Sequence, residues 1–256
     1  MFLPISLFGE VPNVWQRNEN IAPRHYCEFV VANLSLWSSK TSAAAPIDCA
    51  GRRRHLEFSD LGGVNKSDVL RAIITPAADA VVFGDLMITL LKNADRVHAA
   101  SLAQLVNVIA PIMTEPDGPA WRQTTFYPFA LTAKYAKGGT VLEPKLSTGT
   151  FDTPRYGEVP AIDSVAVRGA DGSVTVFVVN RSLQTSSEFE VKLPEGFKAS
   201  EVEARTLHED DILARNTLED QNRVTLHSNG TARLDADAGT VTATLPPVSW
   251  TAIHVK

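Results

Sequence analysis

The sequence predicts an α/β region followed by an antiparallel β-sandwich. Three observations support this. A helical pattern begins at Thr75, and a second, over residues 126–136, follows a Pro/Gly-rich loop. After about residue 140, short segments alternate with period two and are separated by turn residues. The chain has 256 residues, enough for one large domain or two modest ones. Its formal net charge of −5 argues against a nucleic-acid or anionic-membrane partner, because either needs a concentrated basic field. The basic run Gly51-Arg52-Arg53-Arg54-His55 is short and reads as solvated surface.

In chain order, residues 2–15 read as a short buried strand and a turn at Val11-Pro12-Asn13. Residues 17–74 show no sustained period and read as loop. Thr75 is the expected N-cap of the first helix, with Pro76 at its first position, where the missing N–H costs nothing. Ala80, Phe83, Gly84, Met87, Leu90 and Leu91 share one face of that helix at helical spacing. The apolar stretch "ADRVHAASLAQLVNVIAPI" suits a strand covered on both faces, as in a parallel sheet. The loop "TEPDGPAWRQTT" follows, and the second helix should close at Gly138-Gly139. Beyond it, Val165/Val167 and Val174/Val176/Val178 flank a turn at Ala170-Asp171-Gly172, which predicts a hairpin. Further strands are predicted from Phe189/Val191/Leu193, from Val241/Ala243/Leu245, and from Ile253/Val255. The domain boundary is expected near Leu142, and no internal repeat is visible.

Cys27 and Cys49 lack CxxC spacing and nearby paired histidines, so neither a disulfide framework nor a zinc site is expected. His25, His55, His98, His208, His227 and His254 are scattered without ligand spacing, and no cofactor is expected. The apolar start lacks a basic n-region and a cleavage site, and no stretch approaches the ~20 apolar residues of a membrane span. A cytoplasmic location is the expectation.

The stretch "MITLLKNADRVHAASLAQLVNVIAPIMTEPDGPAWRQTTFYPFALTAKYAKG" resembles the closing portion of the catalytic barrel of intracellular-type α-L-arabinofuranosidases. The segments "YGEVPAIDSVAV", "VTVFVVNRS", "LHEDDILARNT" and "TATLPPVSWTAIHV" are similar to that family's C-terminal sandwich. The resemblance implies that the α/β part is the remnant of a (β/α)8 barrel, its last strands and helices, within residues 1–141. Residues 17–74 are atypical there, either disordered, inserted or frame-shifted, and residues 142–256 form the sandwich. It also implies a retaining glycoside hydrolase acting on terminal α-L-arabinofuranosyl residues of arabinan- or arabinoxylan-type glycans.

Loops after barrel strands form the active-site face of such enzymes. The family's "AWRQT" glutamine corresponds to Gln123, whose amide would hydrogen-bond the furanose, since a carboxamide both donates to and accepts from hydroxyls. Trp121 reads equally as a sugar platform or as packing under the loop, and Glu115 as solvated surface. Glu10 is the carboxylate nearest the family's nucleophile, and Trp15 matches the tryptophan lining the arabinose pocket. The match departs from the family pattern, because Gly9 replaces an aspartate and Val11-Pro12 stand where one tryptophan belongs. The acid/base glutamate of the barrel's first half has no counterpart, so the expectation is a truncated chain, inactive alone. Homo-oligomers are frequent in the family. The other reading is a non-catalytic sandwich that binds carbohydrate or makes oligomer contacts.

Overall fold

The structure, a computed structural model, describes residues 75–97, 99–102, 106–107, 109–153 and 156–256. Glu10, Trp15, the expected strand over residues 2–15, the irregular stretch 17–74, both cysteines, the basic run 51–55 and His98 lie outside the described residues.

Helix α1 spans Ala77–Lys92 and α2 spans Phe126–Ala136. Pro76, in extended conformation, occupies the N-cap of α1, one residue later than expected, and no side chain caps the helix. Its first N–H groups are satisfied from across the fold: Ala77 donates to the Ala214 carbonyl at 2.8 Å and Ala78 to that of Ile212 at 3.0 Å. These donors would otherwise lack partners. The buried face of α1 is Ala77, Ala80, Val81, Gly84, Met87, Ile88 and Leu91. Phe83 and Leu90 are half-buried at its margin. Helix α2 ends as predicted, with Gly138 at φ +71, a left-handed conformation that costs glycine nothing.

The stretch expected to form a buried parallel strand behaves differently. Residues 93–96 form a turn, and among the described residues strand begins at β1 (Ile112–Thr114), which pairs antiparallel with β2 (Ala120–Arg122). Every strand pair among the described residues is antiparallel. An apolar run becomes a two-sided strand only where hydrogen-bonding neighbours flank it. The described residues supply no such neighbour to the run before Ile112.

The remaining strands are β3 (Thr140–Leu142), β4 (Thr150–Thr153), β5 (Gly157–Pro160), β6 (Ile162–Arg168), β7 (Val174–Asn180), β8 (Ser187–Lys192), β9 (Val202–Leu207), β10 (Leu226–Ser228), β11 (Arg233–Asp235), β12 (Thr240–Leu245) and β13 (Ser249–Val255). They build a six-stranded sheet, β10-β9-β13-β7-β6-β3, a three-stranded sheet, β11-β12-β8, and a separate β4-β5 hairpin. The predicted β6–β7 hairpin is present, with Gly172 at φ +85 in its turn. The expected domain boundary falls at the end of β3, which pairs with β6 through Val141 opposite Val167.

The six-stranded sheet lies between two layers, and every residue of β7 and β13 is buried. Val174, Val176, Val178, Ile253 and Val255 face the small sheet and its Phe189, Val241, Ala243 and Leu245. On the other face Val165, Phe177, Val179 and Trp250 pack against α1 and α2. Strand residues point alternately to opposite faces, so one apolar strand lines two cores.

Candidate functional site

The loop that the sequence singles out is a short hairpin with an internally braced base. In the β1–β2 register Met113 lies opposite Trp121 and Thr114 opposite Ala120. The tip turns through Asp117 at φ +51, with Gly118 N–H donating to the Glu115 carbonyl at 3.1 Å. Glu115 and Asp117 are exposed there, as expected of solvated surface, and Trp121 is half-buried. Asn107, at φ +59, accepts from Thr114 N–H at 2.7 Å and donates through Nδ2 to the Thr114 hydroxyl at 2.8 Å. Asparagine tolerates the left-handed region better than most residues and uses its amide to replace lost ladder bonds.

Gln123 sits at the base of this hairpin and is only 1% exposed. Its Oε1 accepts from Thr75 N–H at 2.9 Å and from the Thr75 hydroxyl at 3.3 Å. Its Nε2 donates to the Ala110 carbonyl at 2.8 Å and approaches Met113 Sδ at 3.3 Å. The Thr124 hydroxyl lies within 3.0 Å of the Thr75 and Pro76 carbonyls and of the Thr75 hydroxyl. A buried carboxamide is costly unless donor and acceptor are both used, and here they are. These bonds turn the amide inward and tie the hairpin to the start of α1. The partner is a threonine 48 residues away, which no local pattern signals.

The sandwich grips the same hairpin. Asn216 is 1% exposed; its Nδ2 donates to the Arg122 carbonyl and to the Val224 carbonyl, both at 2.9 Å, and its Oδ1 accepts from Val224 N–H at 2.8 Å. The segment that carries Ala214 and Ile212 to the helix start therefore also holds the residue beside Gln123. Asp79, in the first turn of α1, has its carboxyl pushed up by burial, with Arg215 pulling it back down. Farther along α1, Arg181 makes a two-pronged contact to Asp85 at 2.9 and 2.8 Å and reaches Asp163 at 3.1 Å, while Lys92 also pairs with Asp163. Burial raises the Asp85 carboxyl and the Arg181 charge opposes it. Lys92, Asp163, Arg181, Arg215 and Asn216 lie within the segments that carry the resemblance, which assigned none of them a role. The sequence signal available for Asn216 was only an asparagine within "LHEDDILARNT".

Among the described residues no group of three or more His, Cys, Asp or Glu could hold a metal ion. The structure thus brings together Thr75, Gln123, Thr124 and Asn216, while Glu10 and Trp15 lie outside what it describes.

Comparison with known proteins gives a consistent result. A family model described as the α-L-arabinofuranosidase C-terminal domain matches residues 64–249. An exo-α-(1→6)-L-arabinofuranosidase of Bifidobacterium longum is 78% identical over 180 residues, 70% of this chain and 34% of that protein. An intracellular exo-α-(1→5)-L-arabinofuranosidase of Streptomyces lividans is 52% identical over 178 residues, 69% of this chain and 26% of that protein. The chain thus spans about a third of the length of the first relative and about a quarter of the second. Among solved structures, a family 51 α-L-arabinofuranosidase from Bifidobacterium longum superposes with a TM-score of 0.64 at 46% identity, covering 71% of this chain and 34% of that one.

Proposed function

The chain belongs to the α-L-arabinofuranosidase C-terminal domain family, and from that premise we propose that it serves an exo-acting, retaining arabinofuranosidase. The substrate would be a glycan with terminal α-L-arabinofuranosyl groups, of the arabinan or arabinoxylan type. The observation that supports this reading best is the 78% identity to an enzyme named for that activity. In the proposed site Gln123 contacts the sugar, Glu10 is the nucleophile and Trp15 lines the pocket. By this reading a sugar hydroxyl displaces the Thr75 hydroxyl, at 3.3 Å the longer of the two bonds to Gln123 Oε1. The proposed location is the cytoplasm; several relatives are named intracellular, and no described helix is long and apolar enough to cross a membrane. A homo-oligomer is the proposed assembly.

Retaining hydrolysis needs two carboxyl groups about 5–5.5 Å apart, one attacking and one protonating the leaving oxygen. The carboxylates of the Gln123 hairpin, Glu115 and Asp117, are exposed at its tip and suit neither role. By this reading the chain binds arabinose but does not hydrolyse arabinofuranosides. The test is to titrate the purified chain with L-arabinose while following the Gln123 side-chain amide by NMR, and to assay release from (1→6)- and (1→5)-linked arabino-oligosaccharides. Shifts at Gln123 without turnover are expected. An unmoved amide at saturating arabinose would remove Gln123 from the site, and turnover abolished by Glu10→Gln would overturn the inactivity.

A further inference from the structure

Two adjoining depressions lie where the end of α2, the β6–β7 turn and the end of β13 meet. One, of about 430 Å³, is bordered by Arg168 and Lys198; the other, of about 420 Å³, by Lys134, Lys137, Glu203 and His254. Asp171, Ser173 and Lys256 border both. Both are shallow and open to solvent.

The charge distribution is unusual for this molecule. Lys134, Lys137, Arg168, Lys198 and Lys256 are all exposed, and none forms an ion pair with a described residue. The chain as a whole carries −5, so this surface concentrates the opposite sign. Its two carboxylates already have partners. Asp171 accepts from Ser173 N–H at 3.1 Å and from the Ser173 hydroxyl at 2.6 Å, which holds it below the usual carboxylate range, and Glu203 pairs with Arg205 at 2.8 Å. Tyr135 stacks on His254 at 4.3 Å, and the Lys134 ammonium lies 4.7 Å from its ring centre.

We propose that this surface binds a carboxylate-bearing oligosaccharide, with its uronate groups paired to the lysines and Arg168 and its hydroxyls donating to Asp171 and Glu203. Lysines beside fixed carboxylates suit a ligand that alternates acid groups with hydroxyls. A nucleic acid would set its phosphates against the same carboxylates, and Tyr135 already stacks on His254. That the ligand is a glycan rests on the arabinofuranosidase reading; that it is anionic does not.

The experiment is a titration of the ¹⁵N-labelled chain with tri-galacturonic acid, with neutral arabinotriose and poly-L-glutamate as comparators. The expected result is shifts at the amides of Lys137, Gly169, Gly172 and Lys256 with the uronate alone. The double substitution Lys137→Glu, Arg168→Glu, both on exposed side chains, should weaken binding by roughly tenfold or more, since each unit-charge contact in water is worth about fivefold. Silent amides, or unchanged affinity in the double variant, would overturn the proposal. Equal response to poly-L-glutamate would overturn its assignment to a glycan. Failure of the arabinofuranosidase reading registers separately, at Gln123, during arabinose titration.

Discussion

The two faces of the six-stranded sheet are both dry, yet they are built differently. The face toward the small sheet is filled by aliphatic residues and one aromatic, Val174, Val176, Val178, Ile253 and Val255 against Phe189, Val241, Ala243 and Leu245. The face toward the helices depends on one close fit. Trp250 is fully buried, stacks on Phe177 at 5.9 Å, and lies so near Gly84 that a Cβ added there would come within 2.3 Å of its Cδ1. A sandwich core of interchangeable aliphatics tolerates volume-conserving exchange, whereas a tryptophan seated on a helix backbone does not.

The largest expected effect tests that contrast directly. Trp250→Ala should cost about 3–5 kcal/mol in urea denaturation, and Trp250→Phe much less, because the indole N–H has no hydrogen-bond partner among the described residues. A loss for Trp250→Ala no greater than for Val176→Ala would erase the difference between the faces. Next, Asn216→Ala should cost about 2–3 kcal/mol, because it leaves the carbonyl and N–H of Val224 buried without their partner and frees the Arg122 carbonyl, and it should speed amide exchange at Gln123. Unchanged exchange there would show that the sandwich does not hold the hairpin.

A smaller effect is expected at Gly84. Replacing a helix-interior glycine with alanine ordinarily gains about 1 kcal/mol, but here the clash with Trp250 should reverse the sign to a loss of about 1–3 kcal/mol. A stabilised Gly84→Ala would mean that Trp250 shifts freely. The smallest effect is a pH slope. His254 is buried, bonded to the Thr175 hydroxyl at 2.8 Å and stacked on Tyr135, with Lys256, Lys134, Asp171 and Glu203 around it. Burial first, then the Lys256 charge, lowers its pKa below the ordinary 6.5. The unfolded chain therefore takes up the proton first, so stability should fall as pH drops below about 6.5 and level off below the folded-state pKa. His254→Gln should flatten that slope in denaturation measured between neutral and mildly acidic pH.

Much of the fold was legible because it obeys local rules. Period-two valines gave β6 and β7, Asp171-Gly172 gave their turn, and Gly138 gave the end of α2. The described residues of the apolar run before Ile112 form no strand; composition alone cannot tell a covered strand from irregular chain. Of the candidate site, the loop was legible from its prolines and glycine, and a role for Gln123 only through the resemblance. The inward turn of the amide was not, since its partners Thr75 and Ala110 lie 48 and 13 residues away.

The sequence alone determined the local elements, because helical and strand periodicity, glycine conformations and turn residues act over a few neighbours, and it determined the family through a long shared run. Only the tertiary structure decided that the central sheet carries helices on its second face, that carbonyls of Ala214 and Ile212 cap α1, and that Asn216 grips the Gln123 hairpin. Those outcomes depend on which buried donors and acceptors meet across long stretches of chain, and burial makes each unmet one too costly to leave.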